Sequence, residues 1–177
     1  MLDTLISSKT RLKLLVKLFL NPNNRAHLRG LADEFEESTN AVRVELNRFE
    51  EAGMLTSETK GNRKLYRANA KHALFDSINN LLLQHIGADR IIESILNRMG
   101  TLEMAYLTGD YANGRDSGII DLILIGDIDK SYLSDKVSKA EVLIKKKIRY
   151  LIYSLDEWNQ RAINTSEIPD LLLWQRK

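Results

Sequence analysis

The sequence predicts an α+β fold, with a helical N-terminal part that ends in a β-hairpin and a C-terminal part in which strands and helices alternate. Three observations predict this fold. Apolar residues recur at helical spacing between residues 12 and 49, and two short alternating runs follow them. A second helical stretch begins near residue 74, and aliphatic runs of strand length appear after residue 100. We therefore expect three parts: domains at residues 1–70 and 101–177, and a helical connector at 71–100.

The composition is typical of a folded chain in a reducing compartment. Hydrophobic residues make up 44% of the 177 residues and charged residues 28%, with only 2 prolines, so a packed core is expected. No apolar run reaches the roughly 18 residues that a membrane-spanning helix needs, and residues 1–4 lack the features of a secretion signal. Because cysteine is absent, disulfides and thiolate zinc sites are excluded. We expect a cytoplasmic protein with no membrane partner.

Helical spacing predicts two helices before residue 36. The first has Leu12, Leu15, Val16 and Phe19 on one face, and residues 21–24 (Asn-Pro-Asn-Asn) end it. The second is short, from about residue 28 to 35. Its apolar face consists of four residues: Leu28, Leu31, Ala32 and Phe35.

A third helix is predicted from about residue 39 to 52, capped by Ser38 or Thr39 and ended by Gly53. Its inward face is formed by Val42, Leu46 and Phe49. The outward face carries short polar or basic side chains near the start of the helix: Asn40, Ala41, Arg43, Val44 and Asn47. Asn and Arg can pair with base edges in the major groove of DNA, whereas acidic groups would be repelled by phosphate. This face therefore indicates a recognition helix.

A basic hairpin is predicted directly after the third helix. The alternating runs 54–59 and 64–68 are joined by Lys60-Gly61-Asn62-Arg63, in which Gly-Asn favours a turn. Residues 1–69 contain 12 Lys and Arg against 9 Asp and Glu, a net charge of +3, and the remainder has 14 against 15, or −1. The excess of positive charge thus lies in the part that contains the hairpin.

Three helices followed by a hairpin with a basic tip resemble the winged helix-turn-helix regulators of the ArsR and MarR type. Residues 38–55, from Ser38-Thr39-Asn40 to Met54-Leu55, look like their recognition helix, and residues 61–66 (Gly-Asn-Arg-Lys-Leu-Tyr) look like their wing. The resemblance implies double-stranded DNA as partner and a bacterial-type transcriptional regulator as function. It implies two sets of contacts: Ser38, Thr39, Asn40, Arg43 and Asn47 toward bases, and Lys60, Asn62, Arg63 and Lys64 toward phosphate. The alternative is a winged helix that is used only for protein contacts.

The connector shows apolar positions that alternate spacings of four and three: Leu74, Ile78, Leu81, His85, Ala88, Ile92, Ile95 and Met99. One interpretation is a dimerisation helix in a homodimer that reads two half-sites. The other is a helix that covers its own domain, with a break at Gly87. His85 is expected to pack in the core. Because His27, His72 and His85 are far apart, no metal site is expected.

Beyond Gly100 the pattern predicts an α/β unit with strands at 104–108, 119–125 and 148–154 and a helix at 132–146. Residues 107–126, with Gly109-Asp110 and later Ser117-Gly118-Ile119-Ile120-Asp121-Leu122, resemble the nucleotidyltransferase superfamily. The resemblance implies a nucleotide site at Gly109, Asp110 and Asp121. Active members place two carboxylates two residues apart on one strand face to hold a divalent metal ion.

This chain departs from that pattern. The positions two residues before and after Asp121 are Ile119 and Ile123, and the third acid of active members would fall near Tyr150. We therefore expect a vestigial, inactive site without catalytic residues, metal or cofactor. The domain is expected to serve sensing of a nucleotide or protein effector, dimerisation or partner binding. Asp110, Asp116 and Asp121 could still converge around a loop into a rearranged metal site. The alternatives to the regulator are a metal-dependent nucleotidyltransferase with a DNA-binding domain and a protein-interaction module.

Overall fold

The computed structural model describes residues 2–87, 100–164 and 171–176. The chain divides into two compact units, Met1–His85 and Ile86–Lys177. It is a mixed α+β protein, as the sequence predicts. Each unit contains its own sheet. None of the helices in these described ranges is long and apolar enough to cross a membrane.

The helices of the first unit follow the predicted apolar faces. The second predicted helix has the expected bounds, and the third ends one residue early. The helices are α1 (Leu2–Leu5), α2 (Lys9–Phe19), α3 (Leu28–Phe35), α4 (Thr39–Glu51) and α5 (Phe75–Ile86). The side chains of Ser8, His27 and Ser38 cap α2, α3 and α4 by accepting a hydrogen bond from a backbone N–H of the first turn.

The predicted hairpin is formed by β2 (Leu55–Lys60) and β3 (Arg63–Ala68), which pair antiparallel with Lys60 opposite Arg63. Gly61 in the turn has a φ of +60°, a conformation that glycine adopts without steric strain. A short strand that the sequence did not indicate, β1 (Ala26–His27), pairs with β3 and places His27 opposite Leu65. The sheet order is β1-β3-β2. The wing is thereby joined to the start of α3.

The core of the first unit lies between the apolar faces of α2, α3 and α4. Fully buried residues include Leu14, Leu31, Val42 and Leu46. The ring of Phe19 packs on Phe49 and Phe75, at centroid distances of 5.8 and 6.2 Å. Burial of these side chains from three helices holds α4 with its opposite face outward.

Helix α5 belongs to the part of the predicted connector that the structure describes, and it packs within the first unit. Leu82 is buried, and the Asn79 side-chain amide donates to the carbonyl oxygens of Phe19 and Leu20 at 2.7 and 2.8 Å. His85 is half-buried and interacts with a neighbouring group. Leu74, the first predicted position of the apolar seam, precedes the helix and is exposed; Phe75 is buried instead. The seam positions Ala88, Ile92, Ile95 and Met99 lie outside the described residues, so dimerisation stays a prediction.

The second unit is a mixed sheet of order β6-β5-β4-β7. Strands β4 and β5 are antiparallel, β5 and β6 are parallel, and β7 pairs antiparallel with β4. The elements are β4 (Gly100–Thr108), α6 (Gly109–Ala112), β5 (Ile119–Ile128), α7 (Lys130–Ile144), β6 (Lys147–Tyr153), α8 (Leu155–Asn164) and β7 (Leu171–Gln175). The sequence predicted β4, β5, α7 and β6 with shifted ends, but not α6, α8 or β7.

Packing on the sheet explains these elements. Helix α7 connects the parallel strands β5 and β6 and buries Leu133 and Val137, as a crossover helix does. Trp158 of α8 packs on Tyr106 and Tyr153, with ring centroids 5.2 and 5.9 Å apart. The apolar stretch after residue 170 adds a strand to the edge of the sheet at β4.

Candidate nucleic-acid interface

The outward face of α4 presents the base-side candidates to solvent. Ser38, Thr39, Asn40, Arg43 and Asn47 are all exposed, whereas Val42, Leu46 and Phe49 face the core. The Ser38 hydroxyl oxygen accepts a hydrogen bond from the backbone N–H of Ala41 at 3.1 Å, so it also caps the helix. Val44 lies among these residues and is 41% exposed, which adds an apolar group to a polar face.

The two arginines of α4 differ in their surroundings. Arg48 forms an ion pair with Glu45 at 3.3 Å. Arg43 has no hydrogen-bond or ion-pair partner within the described ranges, and neither do Asn40 and Asn47. Arg43 is therefore the cation that α4 leaves for a ligand, flanked by two amides that can both donate and accept.

Glu45 holds α4 against the start of α2. Its side chain, on the buried side of α4, accepts hydrogen bonds from Arg11 Nε and Ser8 Oγ, each at 2.9 Å. Burial by itself would raise the pKa of Glu45, but the hydrogen bonds from Arg11 and Ser8 and the charges of Arg11 and Arg48 hold it below its ordinary value. Glu45 was not predicted from the sequence as a structural residue. Its spacing of three from Val42 and four from Phe49 is the signal that places it on the inner face.

The wing presents Lys60, Asn62, Arg63 and Lys64, all of them exposed. Lys60 and Asn62 have no partner in the parts of the chain that the structure describes. Lys64 differs, because its ammonium forms an ion pair with Glu50 of α4 at 2.7 Å and lies 5.1 Å from the ring centroid of Tyr66. Hydrogen bonding to Glu50 raises the pKa of Lys64. A phosphate contact by Lys64 would therefore require this ion pair to break.

Two contacts join the wing to α4. The Glu50 carboxylate accepts from Ser57 Oγ of β2 at 2.6 Å as well as from Lys64 of β3. The hydrogen bonds from Lys64 and Ser57 lower the pKa of Glu50. The wing and the outward face of α4 are thus held in a fixed arrangement. A ligand that contacts both surfaces requires such an arrangement.

In the second unit, strand register brings Thr108, Asp121 and Arg149 side by side on one face of the sheet. A cavity of about 290 Å³ opens there, lined by Thr108, Gly109, Asp121, Leu122, Arg149, Tyr150 and Leu151. Gly109 has a φ of +66°, and a Cβ at this position would lie 2.5 Å from Asp121 Oδ2. Glycine is therefore required where α6 approaches Asp121. Gly109 and Asp121 thus lie side by side, and Asp110, exposed on α6, is near enough for its charge to act on Arg149. The nucleotide site at Gly109, Asp110 and Asp121 stays a prediction.

The residues of this cavity do not fit a divalent metal ion. Both carboxylate oxygens of Asp121 accept from the Arg149 guanidinium, at 2.6 and 2.9 Å. The hydrogen bond to Asp121 raises the pKa of Arg149. Among the described residues, no three His, Asp or Glu side chains are grouped as metal ligands would be. The Arg149 guanidinium thus occupies both oxygens of Asp121, the carboxylate that would hold a metal ion in an active nucleotidyltransferase. Arg149 is the residue before Tyr150, near which the third acid of active members would fall.

Asp116 belongs to a different cluster. Its carboxylate accepts from Lys146 Nζ at 3.1 and 3.2 Å and from the hydroxyl of the buried Tyr111, which also receives a hydrogen bond from Lys146. Burial raises the pKa of Tyr111 well above its ordinary value of 10.0. The suggestion that Asp110, Asp116 and Asp121 converge is therefore wrong for Asp116, because Lys146 and Tyr111 tie it to the end of the loop before β5.

Comparison with known proteins gives limited similarity. No family model and no curated protein matches the chain. Among solved structures, part of the chain is similar to reduced HlyU from Vibrio cholerae N16961. The match has 18% sequence identity and a TM-score of 0.37, and it covers 47% of this chain and 82% of that one.

Proposed function

We propose that the chain binds double-stranded DNA through α4 and the wing and acts as a bacterial-type transcriptional regulator. The observation that carries the proposal is the exposed face of α4. Arg43, Asn40 and Asn47 lie there without a partner among the residues that the structure describes, while the neighbouring Arg48 is neutralised by Glu45. Arg and Asn form the commonest bidentate contacts with guanine and adenine in the major groove.

The wing supplies the complementary contacts to the backbone. Lys60 and Arg63 extend from the hairpin tip as exposed cations, and Asn62 adds a neutral donor. Phosphate contacts fix the position of a protein on the duplex but carry no sequence information. The division of labour follows from the chemistry of the two surfaces: base readout on α4, backbone contact on the wing.

Titration of the full chain with genomic duplex fragments over a range of salt concentrations tests this function. Each neutralised phosphate contributes about −0.9 to the slope of log affinity against log salt, so Lys60 and Arg63 predict a slope of about −2 per bound protomer. Affinity that does not change with salt would contradict DNA binding. Recovery of a preferred sequence from the bound fragments supports regulation at a specific site.

The two wing lysines provide a matched pair for the same titration. Lys60→Ala is expected to reduce the steepness of the slope by about 1, because it removes a cation that has no partner among the described residues. Lys64→Ala is expected to change the slope less, because Glu50 already neutralises Lys64 in the free protein. Equal changes for both variants would show that the Glu50 ion pair opens on DNA.

We propose a homodimer that reads two half-sites, since a single recognition helix contacts only a few base pairs. Sedimentation of the protein with its recovered site is expected to give two chains per duplex. The sequence of the recovered site is expected to be palindromic. One chain per duplex would contradict the dimer while leaving DNA binding intact.

For the second unit we propose a sensing or interaction role without nucleotidyl transfer. The ion pair of Asp121 with Arg149, and the isoleucines two residues away on either side, support this proposal. With Mg²⁺ and each nucleoside triphosphate, the wild type and Asp121→Asn are expected to give the same absence of transfer product. Turnover in the wild type that Asp121→Asn abolishes would establish the enzyme instead.

A further inference from the structure

His27 lies in β1 and contacts both α3 and the wing through the two nitrogens of its ring. Nδ1 accepts a hydrogen bond from the backbone N–H of Gly30 at 2.9 Å and so caps α3. The ring lies directly on Gly30: a Cβ at position 30 would be only 2.5 Å from Cε1 and 2.6 Å from Nδ1 of His27. Nε2 faces the other way, 3.3 Å from Nη1 of Arg63.

The cap determines where the neutral imidazole carries its proton. A backbone N–H can only donate, so Nδ1 must be the acceptor and the proton must lie on Nε2. Arg63 also presents only donors. The 3.3 Å contact therefore brings two N–H groups together without an acceptor between them.

The described parts of the chain provide no acceptor for this pair. The nearby carboxylate of Glu58 on β2 is paired with Arg25 at 2.8 Å. Arg63 forms no ion pair within the same described ranges. Arg29, exposed in the first turn of α3, is a further cation two residues after His27 in the sequence. Two converging donors in a cationic setting fit one oxyanion, which accepts from both.

We propose that His27 Nε2–H and the Arg63 guanidinium together bind one oxygen of a backbone phosphate of DNA. This site rests on the proposed function and adds His27 to the contacting residues. Because His27 also caps α3 and pairs β1 with β3, the phosphate would be held by a residue that the fold positions rigidly. The contact fixes the register of the recognition face on the duplex rather than reading its sequence.

His27→Asn tests the site, because asparagine is as effective at an N-cap and removes the Nε2–H group. We expect unchanged thermal stability and a loss of affinity of about 10-fold on all duplexes, the effect of one hydrogen bond to a charged group. Arg63→Gln, at an exposed position, is the companion variant, and Arg67→Gln on the same strand is the control. Wild-type affinity in His27→Asn would overturn the proposal, and absence of duplex binding by the wild type would overturn this site and the proposed function together.

A neutral methylphosphonate placed at each linkage in turn locates the contact. One linkage is expected to weaken the wild type, and both His27→Asn and Arg63→Gln are expected to reduce that effect at the same linkage. Different linkages for the two variants would overturn a shared site. Nitrogen-15 spectra of the free protein provide a test that does not use DNA: a proton on Nδ1 of neutral His27, instead of Nε2, would overturn the proposal and leave the proposed function standing.

Discussion

Arg43→Ala is expected to reduce affinity for the preferred DNA site by roughly 10- to 100-fold, while binding to unrelated duplex changes little. The magnitude is that of one bidentate contact between arginine and guanine, about 1–3 kcal/mol of discrimination against the wrong base. Arg43 has no partner to lose within the described residues, so the change removes a DNA contact without disturbing the fold. The measurement is a titration of the preferred duplex and of a scrambled duplex at the same salt concentration.

Arg63→Ala is the matched control for this prediction. It removes the same charged group from the wing and is expected to weaken both duplexes in similar proportion, because a phosphate contact is independent of sequence. If Arg43→Ala also weakened both duplexes equally, α4 would not be reading bases. The division between base readout and backbone contact would then be wrong.

Glu45→Ala is expected to destabilise the first unit by roughly 1–3 kcal/mol. Its carboxylate, 8% exposed, holds Arg11, Ser8 and Arg48, and removal leaves these donors without their acceptor. Arg11 is itself 37% exposed, so water compensates part of the loss and the effect stays below that of a fully buried pair. Both tryptophans lie in the second unit, so tryptophan fluorescence would not report on the first unit. Hydrogen exchange of the α4 amides is therefore the suitable measurement. Unchanged exchange would contradict the role of Glu45.

The same carboxylate predicts a dependence on acid. Burial raises the pKa of Glu45, but the stronger combined effect of its hydrogen bonds and neighbouring cations keeps it below the ordinary 4.5. A carboxyl with a lowered pKa in the folded state stabilises the protein above its unfolded pKa, and that contribution is lost as the pH falls through the folded value. The difference in stability between the wild type and Glu45→Gln should therefore be constant near neutral pH and close as the pH falls below 4.5. A difference that does not shrink at all as the pH falls from neutral to well below 4.5 would exclude this linkage.

Local patterns in the sequence determined helices α2 to α5 and α7, the hairpin and the outward face of α4. The bounds of α3 follow from spacing within two helical turns, and cap chemistry narrowed the cap of α4 to Ser38 or Thr39, of which the structure selects Ser38. The exposure of Arg43 follows from its angular position relative to Val42 and Leu46. The strand β7 was not predictable in this way, because a short apolar stretch becomes a strand only when an edge such as β4 is available.

The partners of the charged residues were decided only by the tertiary structure. Glu45 meets Arg11, which is 34 residues away, where α2 packs on α4. Arg149 meets Asp121, 28 residues away, because the parallel register of β5 and β6 aligns them. His27 meets Arg63 across β1 and β3. Sequence periodicity extends over a few residues, whereas strand register and helix packing select among all charges in the chain. The sequence alone could therefore predict a DNA-reading face, but not which of its cations are free to bind.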